Sequence, residues 1–396
     1  MRRNIIASGI GVVGGLLVAA GSRAAAQARP ESLVRTVIRA ARLVDPVAAT
    51  IQRDVVVLVE ESRITNVLPR ARYQPGTGDH VIDLGDATLL PGLIDAHVHL
   101  TIGGAIKENA AAILRAGFTT VADLGAVSQR AQRVRDSIAA GLLEGPRVLA
   151  AGLWIGVKDG VCEFTGIGIA GGPDAFRARV RENLSAGANL IKVCVTGWPR
   201  VAMSHPDSAE LSTAVLSAMV EEAHRSGRPV AAHALSREGV RRSLDAGVDG
   251  LVHAAYLDES LAARMRQRGM WLIPTLASLT AGDSSAVGRG LVEGVRRANQ
   301  AGVMLVFGTD GGVLPHGQNA REAPALVAAG VAPADVLRAM TVNAARALGL
   351  ADSVGVVRRG MVADLVAVSG DPLADVAVLE RPRFVMARGR VVVSDR

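Results

Sequence analysis

Aromatic residues are scarce in this chain. Three tryptophans, two tyrosines and five phenylalanines make up 3% of its 396 residues. Proteins that bind single-stranded nucleic acids combine a basic groove with aromatic side chains on which the bases stack. No basic cluster in this sequence is interleaved with aromatic residues, so nucleic acid is not an expected partner. We attribute the net charge of +7 to arginines on solvated surfaces.

Long apolar runs are also missing, except at the N-terminus. No stretch after residue 28 reaches the roughly 18 uninterrupted apolar residues that a membrane span requires. Residues 1–28 have the pattern of a signal peptide: a positive "MRRN", an apolar "IIASGIGVVGGLLVAAG" and a cleavage site at Ala26-x-Ala28. Arg2-Arg3 resembles a twin-arginine signal, although ordinary secretion or an uncleaved anchor also fits. We expect an exported protein, periplasmic or secreted, without membrane contact after cleavage.

The chain has only two cysteines and no dinucleotide-binding motif. Export would permit a disulfide between Cys162 and Cys194. Cys194, however, lies on a predicted inner strand, and we interpret it as a small buried apolar residue. No G-x-G-x-x-G motif opens the first βα turn of the chain, which argues against a doubly wound dinucleotide fold.

Both ends of the chain have the texture of short strands and turns. Segments such as "RDVVVLVEESRITNVLP" and "FVMARGRVVVSD" carry β-branched residues punctuated by Pro, Gly and Asp. The length suits a barrel of about 250 residues with an accessory domain. The sequence therefore predicts a small β-sandwich domain assembled from residues 29–90 and 355–396.

The middle of the chain alternates short apolar runs with helical segments, the pattern of βα units. The helix candidates are residues 105–116, 173–186, 210–226, 236–246 and 258–268. The eight runs are "GLIDAHVHL", "FTTVADLG", "RVLAAGLWI", "NLIKVCVTG", "PVAAHA", "GLVHAA", "MWLIPTLAS" and "VMLVFGTDGG". The predicted fold class is α/β, with a (β/α)8 TIM-like barrel over residues 91–354.

Polar side chains stand in or at the ends of these runs, and a barrel places its active site at the carboxyl ends of its strands. Positions i and i+2 of a strand share a face, so His97 and His99 can point together into the barrel mouth. Imidazole and carboxylate groups suit Zn²⁺ and similar divalent ions. The predicted metal ligands are His97, His99, Lys192, His233, His253 and Asp310.

Two members of this set have other possible roles. Asp310 is the second residue of "TDGG" and could cap a following helix. Lys192 lies between Ile191 and Val193, where an unpaired ammonium would be costly. Lys192 therefore pairs with an acid, loses its charge, or is modified.

The ordered set H-x-H, Lys, His, His, Asp on successive strands resembles the amidohydrolase superfamily. The resemblance covers nearly all of residues 35–396, including "GFTTVADLG", "VAAHA" and "FGTDGG". It is strongest to the imidazolonepropionase-like branch, which contains Xaa-Pro dipeptidases, related metallo-carboxypeptidases and ochratoxinase-type amidases. Lys192 separates this chain from imidazolonepropionase proper, which is mononuclear and lacks the lysine.

The resemblance implies a binuclear metal-dependent amidohydrolase. His97 and His99 with Asp310 would hold the more buried ion, His233 and His253 the other, and a carboxylated Lys192 would bridge them. Two divalent ions are implied, with zinc the expected metal. A hydroxide shared by the two ions would attack an amide of a dipeptide or an N-acyl amino acid, with Asp310 as the general base.

The sequence departs from the dipeptidase pattern in two places. The Gly-His-Gly stretch after strand three, whose histidine helps bind the substrate carboxylate, is replaced by "GLWIGVKDGVCEFTGIGIAGG". Strand six has Val252-His253-Ala254 where Glu-His-Gly is usual. The remaining candidates for substrate contact are Lys158, Arg200, His205 and His316, each of which could also be a solvated loop residue.

Other functions stay open. Related barrels cleave lactones, cyclic imides or ureas, and phosphoesters with the same metal centre, and the loops decide between them. A non-catalytic exported binding protein is the alternative from another class. The expected partner is a small molecule, and assembly into a homo-oligomer is possible.

Overall fold

The computed structural model describes residues 35–164, 166–198, 208–280 and 286–395. The predicted signal peptide lies outside these ranges, as do two of the substrate-contact candidates, Arg200 and His205. Within the described ranges, no helix is long and apolar enough to cross a bilayer.

The N-terminal part of the described chain consists of strands joined by turns. β1 pairs antiparallel with β2 and parallel with both β4 and β5, and β2 pairs antiparallel with β3. Ile38, Val57 and Leu89 are fully buried in the core of this sheet. The strands are β1 (Arg35–Asp45), β2 (Thr50–Glu60), β3 (Arg63–Pro69), β4 (His80–Asp83) and β5 (Ala87–Pro91).

Eight parallel strands follow in the described residues, in the two sheets β6-β7-β8 and β13-β12-β11-β10-β9. Each lies within one of the eight predicted runs. Isolated bridges pair Val98 with Gly311 and Ile155 with Val193, so the two sheets adjoin at both edges. The strands are β6 (Leu93–Val98), β7 (Phe118–Asp123), β8 (Arg147–Ala150), β9 (Ile191–Cys194), β10 (Val230–Ala234), β11 (Gly250–His253), β12 (Trp271–Ile273) and β13 (Met304–Leu305).

Helices connect these strands, and each of the five predicted helices is present. The hydroxyl of Ser236 accepts a hydrogen bond from the amide of Gly239, and the carboxylate of Asp258 accepts one from that of Leu261, so a side-chain cap fixes where each of these helices begins. The α-helices are α1 (Ile106–Arg115), α2 (Arg130–Ala139), α3 (Pro173–Ser185), α4 (Thr213–Arg225), α5 (Arg237–Ala246), α6 (Glu259–Arg268), α7 (Leu276–Thr280), α8 (Ala286–Gln300), α9 (Glu322–Ala328), α10 (Pro333–Arg338) and α11 (Ala344–Ala347). Short 3₁₀ segments span Arg70–Arg72, Asn319–Arg321 and Val376–Glu380, and a π-helical turn spans Ala339–Asn343.

The C-terminal strands join the N-terminal sheet. β14 (Leu365–Ser369) pairs antiparallel with β5, β15 (Pro382–Ala387) with β14, and β16 (Arg390–Ser394) with β15. The order β16-β15-β14-β5-β1-β2-β3, with β4 beside β1, forms a single eight-stranded sheet. Strands from both ends of the described chain therefore share one sheet.

The interpretation of Cys194 as an isolated buried thiol is wrong. Cys162 and Cys194 form a disulfide, with their Cα atoms 6.2 Å apart. Cys194 ends β9, and Cys162 lies in the long loop between β8 and α3. The burial was predicted correctly, but the path of that loop back across β9 depends on tertiary folding that strand periodicity does not encode.

An ion pair links the parallel strand β8 to the eight-stranded sheet. Arg147, the first residue of β8, donates from Nη1 to Asp364 Oδ2 over 3.0 Å and to Thr120 Oγ1 over 2.9 Å. Asp364 is buried, and its other carboxylate oxygen accepts a hydrogen bond from the backbone amide of Arg388. Loss of the arginine would leave a buried carboxylate without its charged partner.

We therefore expect Arg147→Ala to lower the free energy of unfolding by about 2 kcal/mol, below the range for fully buried pairs because Arg147 is partly exposed. The matched control is Arg115→Ala, which removes an exposed pair with Glu144 and should cost no more than about 0.5 kcal/mol. Urea unfolding of both variants at neutral pH measures the difference. Equal losses would contradict a linking role for Arg147.

Candidate metal centre

A cavity of about 480 Å³ opens at the carboxyl ends of the parallel strands. Its volume is in the range of small-molecule sites. All six residues predicted to hold metal line this cavity, and all six are buried. They are His97, His99, Lys192, His233, His253 and Asp310.

Three of these residues converge on one point. His97 Nε2 lies 3.2 Å from His99 Nε2, and Asp310 Oδ1 lies 3.4 Å and 3.2 Å from the same two nitrogens. His99 Nδ1 is 2.9 Å from the carbonyl oxygen of Gly125. Because Nδ1 donates to that carbonyl in neutral imidazole, the lone pair on His99 Nε2 faces the other two ligand atoms. Three acceptors at such short separations repel one another unless a proton or a cation lies between them, and this group could hold a divalent metal.

The other two histidines lie on neighbouring strands. The ring centroids of His233 and His253 are 4.7 Å apart, and His253 is 5.7 Å from His97. His253 Nδ1 is 2.7 Å from the hydroxyl of Thr275. In the tautomer that leaves Nε2 free for a metal, Nδ1 donates to that hydroxyl and fixes the ring orientation. The donor set thus suits a second ion beside the first.

Burial keeps the imidazoles neutral. It lowers the pKa of His97 and of His253 well below the usual value, and it lowers the pKa of His233 to about 3. Nearby Lys192 lowers all three further. Burial alone would raise the pKa of Asp310, but contact with His99 and the charge of Lys192 outweigh it, so this pKa falls. At neutral pH the site therefore offers lone pairs and one carboxylate, the forms that bind metal.

Lys192 lies inside the same cavity with its side chain buried. Burial lowers the pKa of its amine to about 7, although the charge of Asp310 opposes the shift. A large fraction of the amine is therefore neutral near pH 7. A neutral buried amine is the nucleophilic form of lysine.

A buried carboxylate holds the first and last strands of the barrel region together. Asp95 Oδ1 accepts the backbone amides of His97 and Thr309, and Oδ2 accepts the Thr309 hydroxyl and the side-chain amide of Asn319, over 2.6–3.1 Å. Despite these bonds, burial raises the pKa of Asp95 to about 6. Asp95 thereby fixes the backbone of His97 next to the residue that precedes Asp310.

The backbone is strained at three strand ends of the site. His253, Ala254, Thr275 and Asp310 all have φ between +55° and +77°. These non-glycine residues would not adopt this conformation unless the surroundings imposed it, and such strain collects at functional sites.

The four substrate-contact candidates are not placed alike. Lys158 is exposed, His316 packs beside Gly311, and neither lines the cavity. Burial lowers the pKa of His316 to about 4. Arg200 and His205 lie outside the described residues.

Sequence reasoning missed several residues that support the site. Asp95 stands two positions before His97 in "IDAHVH", so strand periodicity could have indicated it. Thr275 lies within the seventh run, to which no site residue was assigned. Glu322 accepts the amides of Leu276 and Ala277 and so holds the turn after Thr275. No local pattern marks it, because it approaches this turn from a distant helix.

Comparisons with known proteins agree with this geometry. A model of the amidohydrolase family matches residues 88–392. Ochratoxinase from Aspergillus niger is 28% identical over 357 residues, which cover 75% of this chain and 73% of that protein. A solved Xaa-Pro dipeptidase with methionine in its active site superposes with a TM-score of 0.84 at 29% identity, covering 90% of this chain and 99% of the other. A candidate prolidase from Bifidobacterium longum gives a TM-score of 0.80 at 34% identity, covering 92% and 96%.

These matches define an α/β hydrolase with parallel-strand sheets. The chain belongs to the amidohydrolase family, which confirms the resemblance found in the sequence. It is a hydrolase that acts on carbon–nitrogen bonds.

Thr275 offers a test of the second histidine pair. Thr275→Ala removes the hydroxyl that orients His253, so we expect the weaker of two Co²⁺-binding steps to lose about 10-fold in affinity while the other is unchanged. Thr275→Ser keeps the hydroxyl and serves as the control. Calorimetric titration of metal-free protein measures both steps. If the serine and alanine variants bind Co²⁺ equally well, the hydroxyl has no such role.

Proposed function

We propose that this protein hydrolyses a carboxamide, a dipeptide or an N-acyl amino acid, at a binuclear metal centre. The observation that carries the proposal is the convergence of six predicted ligands in one buried cavity of an amidohydrolase. The Xaa-Pro dipeptidase and ochratoxinase relatives support a small amide substrate. Neither lactone nor phosphoester cleavage has a comparable observation in its favour.

The side chains divide into two ligand groups. His97, His99 and Asp310 would hold one divalent ion, with zinc the expected metal, and His233 and His253 the second. Such ions, when bound, polarise a carbonyl and lower the pKa of water. The neutral rings need no proton loss before they bind, so the site is prepared for metal at neutral pH.

Lys192 would join the two groups as a carbamate. Its neutral amine adds to CO₂, a nitrogen–carbon bond forms, and the proton leaves to solvent. The product is a carboxylate in place of an ammonium, which removes the cost of a buried unpaired cation. This modification also converts the one cationic side chain among the described cavity residues into an anionic ligand.

Asp310 would carry the proton during hydrolysis. Its carboxylate accepts the proton of the attacking water and donates it to the nitrogen of the leaving amine. The lowered pKa of Asp310 keeps it ionised and ready to accept a proton at neutral pH.

We also propose the domain organisation and export expected from the sequence. Residues 91–354 would form one closed (β/α)8 barrel, which the bridges at both sheet edges support. Residues 29–90 and 355–396 would form the accessory domain, and residues 1–28 a signal peptide. The disulfide of Cys162 and Cys194 is compatible with an oxidising compartment.

Metal content tests the centre. We expect two divalent ions per chain in the purified protein, and at most one in Lys192→Ala, because the bridging ligand is lost. The His224→Ala variant, which alters an exposed histidine paired with Asp249, should retain both ions. Elemental analysis by mass spectrometry gives the count. One ion or none in the unaltered protein contradicts a binuclear centre.

Activity tests the role of Asp310. We expect Asp310→Asn to lower kcat about 10³-fold on its best substrate, because the amide cannot accept the proton. The amide oxygen can still contact metal, so the ion count should change little. A panel of dipeptides, N-acyl amino acids and lactones with added Zn²⁺ and bicarbonate identifies that substrate. Unchanged turnover in Asp310→Asn, or a preference for lactones, would reject the proposal.

A further inference from the structure

Aromatic side chains are concentrated at this cavity. Two of the three tryptophans and one of the five phenylalanines line it, namely Trp154, Trp198 and Phe164. Phe164 is 41% exposed, so its ring is not placed there by packing into the core. In a chain with so few aromatic residues, this placement points to contact with a ligand.

The three rings form two walls beside the metal centre. On one side, the centroid of Phe164 lies 4.8 Å from that of Trp154, which lies 5.2 Å from His99. The second wall is Trp198, which packs against the same apolar cluster as Trp154 and lies 5.6 Å from His233 and 5.4 Å from His253. A planar group bound against these walls would meet aromatic surfaces next to the residues proposed to perform the chemistry.

Gly125 supports both the first wall, formed by Trp154 and Phe164, and the candidate metal ligand His99. Gly125 accepts the hydrogen bond of His99, and a Cβ atom at this position would lie only 2.5 Å from Trp154 Cδ1. The φ angle of Gly125 is also +118°. Glycine is therefore required here for Trp154 to lie against His99.

The disulfide anchors the outer part of the same wall. Cys162 precedes Phe164 by two residues, and Cys194 follows Lys192 by two residues on β9. The crosslink therefore ties the turn that carries Phe164 to the strand that carries Lys192. Gly156 leaves room for it, since a Cβ atom there would lie 3.0 Å from Cys162 Cβ.

The charge of the lining favours a neutral group. Among the described residues of the cavity, Lys192 is the one cation, and the proposed centre uses it. The mouth is lined by Val127 and Val313, which are 42% and 52% exposed, and by Leu279 and Val287. Apolar side chains around an aromatic pair match an uncharged aryl group and offer no partner to an anionic one.

We infer that Trp154, Phe164 and Trp198 form an aryl-binding subsite, positioned by the Cys162–Cys194 disulfide, that selects amides with a neutral aromatic ring beside the scissile bond. The inference rests on the proposed function, because it names the substrate class of the same cavity. Trp154 and Trp198 contribute ring faces near the reacting carbonyl, and Phe164 closes the subsite toward solvent.

Matched substrates test the selectivity. The first pair is N-benzoyl-L-alanine and N-cyclohexanecarbonyl-L-alanine, and the second is N-acetyl-phenylalanine and N-acetyl-cyclohexylalanine. We expect kcat/KM to favour the aromatic member about 10-fold in at least one pair. Phe164→Leu, which keeps apolar area but removes the ring, should lower that ratio about fivefold, mainly through KM. Leu142→Ala, at a residue 82% exposed and outside the cavity lining, should leave it unchanged.

The disulfide is tested with the double variant Cys162→Ser/Cys194→Ser. The ratio should fall as in Phe164→Leu, while the metal content stays at that of the unaltered protein. If the double variant keeps the full aromatic preference, the positioning role of the disulfide is rejected. Phe164→Leu tests the subsite independently if the double variant does not fold.

A binding measurement separates this inference from the proposed activity. Metal-free protein is titrated by calorimetry with 2-acetylnaphthalene and with its fully hydrogenated analogue. We expect the aromatic ketone to bind about 10-fold more tightly, and Phe164→Leu to reduce the difference. Equal affinities overturn the aryl subsite. Tighter aromatic binding without hydrolysis of any of the four amides retains the subsite and rejects the amidase.

Discussion

The site depends first on the hydrogen bonds made by Asp95. This carboxylate joins β6, which carries the first two histidines, to Thr309, which directly precedes Asp310. These residues are more than 200 positions apart in the chain, yet their ligand atoms must meet within a few ångströms. A buried carboxylate with several donors is stable only if all of them stay in place, so the geometry is enforced by the cost of an unpaired polar group. The candidate ligands His97 and Asp310 are therefore held by β6 and by a segment fixed to it, rather than by flexible loops.

The same cavity makes conflicting demands on its polar groups. Burial keeps the imidazoles of His97, His233 and His253 neutral, which suits metal binding, but it also disfavours the charge of Lys192. Bound divalent cations would meet the first demand, since they supply the positive charge that the lone pairs and the carboxylate of Asp310 attract, and the carbamate proposed for Lys192 would meet the second. The left-handed backbone at His253 and Asp310 is a further cost that the surrounding structure supports. The fold thus maintains an arrangement that is unfavourable without a ligand, as expected for a functional site rather than a packed core.

The alternation of strands and helices was predictable because it reflects burial periodicity and capping, both of which are local. The convergence of six polar residues followed from one rule, that strand ends of a barrel share a face. Contacts between distant segments were not predictable. Glu322 reaches the turn after Thr275 from another helix, and Cys162 reaches Cys194 by the course of a long loop. The wall formed by Trp154 was equally hidden, because its position depends on the missing side chain of Gly125.

The cavity has a polar floor and aromatic walls, and these two parts have different roles. Its floor consists of polar residues in or after the strands. The order of these residues along the chain is the pattern of the amidohydrolase family. Its walls are aromatic and belong to loops. There Trp154, Phe164 and Trp198 can set the shape of the cavity without moving a candidate metal ligand. Differences in substrate among related barrels must then arise mainly in the walls, since the floor performs the same bond chemistry. A disulfide between a wall and a floor strand is therefore well placed to make a loop as rigid as the strand to which it is tied.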